Sequence, residues 1–337
     1  MNELYRNVNE KTFLITGATG FVGSMLCKYI LRANQESGNS NIVIACGRNS
    51  EKLKKVFKDY LNDAELQFYV GDIKQKIEYL DEIDYIFHCA SVTSSKYMIT
   101  YPVETISASV IGTQNMLDLA REKKVEAFVY ISSMEMYGKF ETLDHDVTEA
   151  DLGYVDPLVI RSNYPESKRM CENMCIAYMS EYNVPVRIAR LAQTFGEGIL
   201  PGENRVFAQF AKSVVREEDI ILHTRGLSEG NYCYILDCVE GLITIALKGS
   251  DGEAYNVSNP DTHTTIADMA QMVCKEIAKD KIKVIYDIPE SNTFGYASDT
   301  KMKLDSTKLQ MLGWKPKVGL KESYERLIEY ILSLIHI

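Results

Sequence analysis

The stretch KTFLITGATGFVGSMLCKYIL (residues 11–31) begins as a short apolar strand, Thr12 to Thr16. It turns through Gly17, Gly20 and Gly23 into a segment whose apolar residues, Phe21, Val22, Met25, Leu26 and Ile30, recur with helical spacing. A GxxGxxG turn between strand and helix has a physical logic. The first glycine permits the tight turn, the second lets backbone approach a pyrophosphate, and the third lets helix pack on strand. The phosphates then rest on the N–H groups and positive dipole end of the helix. The stretch therefore reads as a dinucleotide-binding βα turn.

The following residues extend that unit. NIVIACG (41–47) supplies a second strand, ending at Gly47-Arg48-Asn49. An acid there would bind the adenosine ribose hydroxyls and select NAD, whereas Gly47 followed by Arg48 suits the 2′-phosphate of NADP. The expected cofactor is NADP or NAD, with a slight lean to NADP. LQFYVGDI (66–73) ends on Asp72-Ile73, a pair suited to the adenine amine and face, and DYIFHCAS (84–91) ends on the small residues Cys89-Ala90-Ser91. With helical stretches such as VIGTQNMLDLAREKK (110–124) between strands, the pattern predicts a doubly wound parallel α/β sheet, the Rossmann fold.

Bulk properties narrow the class. The 337 residues suffice for one large α/β unit or two domains sharing a cleft, and 46% hydrophobic with 25% charged residues is ordinary globular composition. A net charge of −10 argues against general affinity for nucleic acid or anionic lipid. The eight cysteines form no CxxC pair, so no metal site is expected and the thiols read as reduced and mostly buried. The polar start MNELYRNVNEK is no signal peptide, and no apolar run reaches membrane-spanning length, so a cytoplasmic protein is expected. ANQESGNSN (33–41) and PESNTFGYASDTK (289–301) read as surface loops, and the apolar ending LSLIHI has no assigned role.

Chemistry enters with YISSMEMYG (130–138) and SNYPESKRMCENMCIAYMSEYNV (162–184). The first reads as a strand ending on hydroxyls and an acid. The second puts Tyr164 and Lys168 four apart on one helix face, where an ammonium would favour the phenolate and lower the phenol pKa.

Together, TGATGFVG, GDI, HCAS, PVETISASVIGTQNML, SSMEMYG, YPESK, RIARLAQTFGEG, EAYNVSN and LGWKP resemble the extended short-chain dehydrogenase/reductases of the NAD(P)-dependent nucleotide-sugar epimerase/dehydratase group, from Thr12 to about Leu332. The resemblance implies an NAD(P)-binding Rossmann domain over 1–190, rejoined by a segment near 231–258, and a smaller C-terminal substrate-binding lobe over 191–333. It implies a nucleotide-sugar substrate and a homodimer. Tyr164 would be the acid/base at the sugar hydroxyl, Lys168 would hold the nicotinamide ribose and tune Tyr164, and Ser133 would share the proton. Gly17, Thr19, Gly20, Phe21, Val22, Gly23, Arg48, Asp72, Ile73 and Ala90 would bind the cofactor. Ser91, Thr93, Gln193, Arg205 and Arg225 would contact substrate.

The reaction is less determined. Relatives that eliminate water carry an Asp-Glu or Ser-Glu pair where this chain has Met134-Glu135, which keeps the base and lacks the Asp. On an extended strand Ser133 and Glu135 would share one side and Met134 would face the other. The arginine expected before YCY is Gly230, and the expected asparagines are Gln193 and Ser109, leaving the nucleotide open. Three readings stand: epimerase, dehydratase or decarboxylase through a 4-keto intermediate; NADPH-dependent reductase of a 4-keto nucleotide sugar; and a non-catalytic NADP-binding sensor or scaffold. In the C-terminal segment Trp314 reads as core packing and Asp305 as a helix cap.

Overall fold

The computed structural model describes residues 7–78, 81–142, 144–200, 202–289 and 300–335. Its strands are β1 (Thr12–Thr16), β2 (Ile42–Gly47), β3 (Leu66–Val70), β4 (Tyr85–His88), β5 (Ala127–Ser133), β6 (Val186–Leu191), β7 (Gln193–Phe195), β8 (Ile220–Leu222), β9 (Glu229–Tyr234), β10 (Ala254–Val257), β11 (Asn259–Thr265) and β12 (Val284–Tyr286). Its helices are α1 (Phe21–Ser37), α2 (Ser50–Val56), α3 (Ser95–Thr100), α4 (Pro102–Lys123), α5 (Asn163–Tyr182), α6 (Val206–Arg216), α7 (Ile235–Lys248), α8 (Ile266–Met272), α9 (Thr307–Gln310) and α10 (Leu320–Ile335).

Seven strands form one parallel sheet in the order β10-β6-β5-β4-β1-β2-β3. β4 is buried throughout, and in β5 only the last residue, Ser133, is not. Both sheet faces must therefore be covered, which is what a parallel sheet requires. Alternation along β1 shows how. Phe13 and Ile15 pack under Leu26 and Ile30 of α1 and Leu242 of α7, while Leu14 points oppositely, to Met116 of α4 and Cys171 of α5. The chain reverses its winding between β1 and β4, so a crevice opens above their C-terminal ends, the place where doubly wound sheets bind ligands.

After β6 the chain builds a second unit. β11-β9-β7 and β12-β8 form small sheets, and with α6, α8 and α10 they enclose Phe195, Phe207, Tyr232, Met269 and Tyr324. Phe195 and Phe207 stack at 4.9 Å. α7 and β10 then return to the main sheet, β10 beside β6. Trp314 is buried against this return, its Nε1–H donating to the Asp237 carbonyl at 2.9 Å. Asp305 accepts the Thr307 N–H at the start of α9, whose N-cap residue is Ser306. Among the described residues no helix is long and apolar enough to cross a membrane.

One loop expectation needs correction. Much of ANQESGNSN is helix, because α1 runs to Ser37. Its polar residues serve the helix end: Gly38, at φ 75°, donates its N–H to the Asn34 carbonyl at 2.8 Å. Asn34 Nδ2 donates to the Asn41 carbonyl at 2.7 Å. Of PESNTFGYASDTK, residues 290–299 lie outside the described residues, as do residues 1–6 and 336–337.

Beneath the ends of β5 and β6 lies an ion pair that the sequence did not announce. Arg190 donates to Glu172 at 2.8 Å from Nη2 and 3.2 Å from Nε, the two side chains being 9% and 8% exposed. Ser132 Oγ donates to the same carboxylate at 2.6 Å, and Arg190 Nη1 donates to Tyr137 Oη at 3.1 Å. Removing one charge leaves the other buried and unpaired. Arg190→Met should cost about 3–5 kcal/mol in denaturant unfolding, and adding Glu172→Met should recover much of that loss. A single substitution costing under about 1 kcal/mol would show that the pair is not desolvated as the geometry indicates.

Candidate active site

At the cofactor end, contact distances dictate residue type. Gly17 has φ 66°, and a Cβ on it would lie 2.8 Å from the Ala90 backbone. A Cβ on Gly23 would lie 2.6 Å from the Gly17 carbonyl oxygen. Such approaches exclude any side chain. The N-cap of α1 is Gly20, so no side chain occupies the space in front of the helix's first N–H groups. Thr19, Phe21 and Val22 surround that opening, half-buried. Backbone donors and a helix dipole facing the switch point fit a pyrophosphate.

The same corner holds a buried polar chain. Thr16 Oγ1 accepts the Ala90 N–H at 3.1 Å and contacts His88 Nδ1 at 2.9 Å; His88 Nε2 contacts Thr113 Oγ1 at 3.2 Å. Burial pushes the His88 pKa down to about 3, with the Lys168 charge adding a smaller push. The imidazole is therefore neutral. A network in which Thr16 donates to Nδ1 and Nε2–H donates to Thr113 satisfies every group.

Asp72 and Ile73 lie half-buried just beyond β3. Asp72 accepts the Lys74 N–H at 3.0 Å, and Ile73 packs so closely on α4 that a Cβ on Gly112 would sit 2.5 Å from its Cδ1. Arg48 follows β2, exposed and with no hydrogen bond or ion pair among the described residues. Ala90 and Ser91 follow β4, where Ser91 Oγ is buried without a hydrogen-bond partner among the described residues, and Thr93 is exposed.

At the reactive end, β5 stops at Ser133 and Met134–Tyr137 form a single 3₁₀ turn. The expectation that Ser133 and Glu135 share one side of an extended strand is therefore wrong. What places Glu135 is the turn, capped by Ser133 Oγ accepting the Glu135 N–H at 3.2 Å. Met134 packs with Phe140 beside the cluster of Met136, Tyr137 and Val147.

Tyr164 and Lys168 stand one turn apart on α5, 7% and 3% exposed. Lys168 Nζ donates to the Ile131 carbonyl at 2.7 Å and lies 5.7 Å from the Tyr164 ring centroid. Burial pushes the Lys168 pKa down to about 8. Burial, then the Glu135 charge, pushes the Tyr164 pKa up to about 12, against a hydrogen bond with Ser133 and the charges of Arg161 and Arg205. The phenol is thus raised in the protein alone, where the sequence led us to expect it lowered, because desolvation and the Glu135 charge outweigh the Ser133 hydrogen bond and the two guanidiniums.

Two residues in this constellation were missed. Arg161 Nη2 donates to both Glu135 oxygens at 2.9 and 3.2 Å, and Glu172 pairs with Arg190 below. No spacing rule singles out either; Arg161 shows only as a basic residue three before Tyr164. From the second unit, Arg205 caps α6 and pairs with Glu203 at 2.6 Å, and its charge reaches Tyr164. Gln193 lies in β7 opposite Tyr232, Arg225 is exposed without a partner among the described residues, and Gly230 sits in β9 opposite Thr264.

A doubly wound sheet with a glycine-lined helix start, and a Ser-Tyr-Lys set at its strand ends, defines a dinucleotide-dependent enzyme fold. The model of the NAD dependent epimerase/dehydratase family matches residues 13–258, and the chain belongs to that family. UDP-glucuronic acid decarboxylase 6 of Arabidopsis thaliana is 31% identical over 311 residues, 92% of this chain and 85% of that protein. UDP-glucuronic acid decarboxylase 1 of Danio rerio is 30% identical over 325 residues, 96% of this chain and 73% of that protein. In fold the chain matches UDP-glucuronic acid 4-epimerase from Bacillus cereus, solved in complex with UDP-glucuronic acid and NAD, at TM-score 0.80 and 22% identity, covering 96% of this chain and 99% of that one.

Two outcomes follow. His88, with its folded pKa depressed from 6.5 to about 3, contributes stability that is complete above pH 6.5 and lost as pH falls toward 3. Urea unfolding should lose up to about 1.4 kcal/mol per pH unit across that window from this residue, and His88→Gln should flatten the slope. An unchanged slope in the variant would assign the acid sensitivity elsewhere. Tyr164→Phe should keep the circular dichroism spectrum while slowing turnover by about two to four orders of magnitude; turnover near wild type would remove Tyr164 from proton transfer.

Proposed function

We propose that this enzyme uses NAD to oxidise C4 of a UDP-linked hexuronic acid and decarboxylates the resulting 4-keto sugar. The observation that carries the reading is Glu135 held beside Ser133 and the buried Tyr164-Lys168 pair, in a chain about 30% identical over nearly its whole length to UDP-glucuronate decarboxylases. The family description names NAD, and the helix start and glycine contacts fit its pyrophosphate.

The nicotinamide would take the C4 hydride and later return it. Tyr164, as phenolate, receives the C4 hydroxyl proton, and Ser133 binds the same oxygen. Lys168 orients the ribose. With a ketone at C4, a carboxylate on C5 is that of a β-keto acid. The C5–carboxylate bond then breaks, CO₂ leaves, and its electron pair becomes the enolate. Protonation at C5 and reduction at C4 would give a UDP-pentose, with no net change of oxidation state in the cofactor. Glu135 manages the proton at C5. Asp72 and Ile73 bind adenine, and Ser91, Thr93, Gln193, Arg205 and Arg225 contact the substrate. A cytoplasmic homodimer is the working form this reading favours, with Val103, Ile106 and Ile111 of α4 exposed as apolar contact residues.

A second reading rests on Arg48, whose guanidinium has no partner among the described residues and follows β2, where the 2′-phosphate of NADP would be bound; net reduction by NADPH then replaces the internal cycle.

In deuterated water with UDP-glucuronate, wild type should release CO₂ and give a pentose carrying deuterium at C5, after NAD rather than NADP is recovered from the denatured protein. Glu135→Gln should slow CO₂ release and C5 deuteration by about 10² or more while NADH still forms in a single turnover. Release at the wild-type rate would take Glu135 out of the chemistry, and net oxidation of added NADPH would favour the reductase.

A further inference from the structure

Arg161 lies on the short turn Ile160–Ser162 that leads into α5, and Glu135 on the turn that ends β5. Their ion pair therefore ties the two elements that carry Tyr164 and Ser133. Asn163 fixes the Arg161 turn, its Nδ2 donating to the Ile160 carbonyl at 2.6 Å and the Met98 carbonyl at 2.8 Å. The Arg161 guanidinium carbon is 5.7 Å from the Tyr164 ring centroid. The two partners are 30% and 39% exposed, so the pair adds little to stability and its placement needs another explanation.

We propose that Arg161 is a positioning residue: its guanidinium fixes the Glu135 carboxylate against the Tyr164 ring and offsets that negative charge there. The inference rests on Tyr164 being the acid/base and Glu135 the group serving C5. Such a site asks two anions, a phenolate and a carboxylate, to coexist at close range, and like charges oppose each other. Glu135 disfavours the phenolate, and Arg161 and Arg205 favour it. Arg205 is already engaged by Glu203, and Lys168 is directed to the Ile131 carbonyl. Arg161 is the cation that touches the offending carboxylate itself. Without it, the Glu135 carboxylate loses the partner that fixes its direction.

The test uses Arg161→Gln, Arg161→Lys, Glu135→Gln and the double Gln variant, each with its Tyr164→Phe counterpart. The difference in 295 nm absorbance between each protein and its counterpart follows the Tyr164 phenolate without substrate. Arg161→Gln should delay its appearance by about half to one pH unit, Arg161→Lys should restore most of that, and Glu135→Gln should advance it. With UDP-glucuronate, Arg161→Gln should slow C5 deuteration about tenfold when Glu135 is present and leave it unchanged once Glu135 is Gln, the non-additivity expected of one residue acting through another. An unmoved Tyr164 titration, or equal slowing in both backgrounds, overturns the proposal. If no nucleotide sugar reduces NAD in the wild type, the proposed function fails, and the absorbance series still judges Arg161.

Discussion

The buried pair of Arg190 and Glu172 sets where the sheet stops and the reactive turn begins. Glu172 reaches it from α5, the helix bearing Tyr164 and Lys168, and Arg190 from β6, the neighbour of β5. Ser132, just before the turn, and Tyr137, its last residue, both hydrogen-bond into the pair. Tyr137 Oη in turn donates to Asn256 of β10 at 2.7 Å. Low dielectric makes such a network costly unless complete, and completeness gives it one geometry. The turn carrying Glu135 inherits that geometry.

On the cofactor side the constraint is steric rather than electrostatic. Gly17 and Ala90 approach so closely that two strand ends and a helix start converge, leaving backbone donors pointed at one place. Thr16, His88 and Thr113 satisfy the polar groups that convergence buries. The site is thus assembled from a wall of backbone dipoles and a wall of ionisable side chains. Desolvation on the second wall raises the phenol and lowers the lysine, and neighbouring charges adjust both.

Where the sequence was legible, a local pattern reported a local requirement. GxxGxxG announced the glycine contacts, alternating strands and helices the parallel sheet, and YxxxK the shared face of α5. It misled where a pattern has two structural solutions. A polar run after α1 looked like loop, yet Asn34 and Gly38 close a helix. SSMEM looked like continued strand, yet Ser133 caps a turn. Illegible altogether were pairings across long separations, Arg161 with Glu135 and Arg190 with Glu172, because no spacing encodes which charge meets which. Arg48 stays exposed at the end of β2, and its lean toward NADP finds no support in a family described by NAD.

The central claim is that oxidation and reduction occur within one turnover on one bound cofactor. Stopped-flow mixing of the NAD-loaded enzyme with UDP-glucuronate, followed at 340 nm, tests it most directly. The account predicts an absorbance that rises as C4 is oxidised and returns to its starting value as the pentose forms. Product appearing with no transient reduction, or a steady net consumption of supplied reduced cofactor, would contradict it.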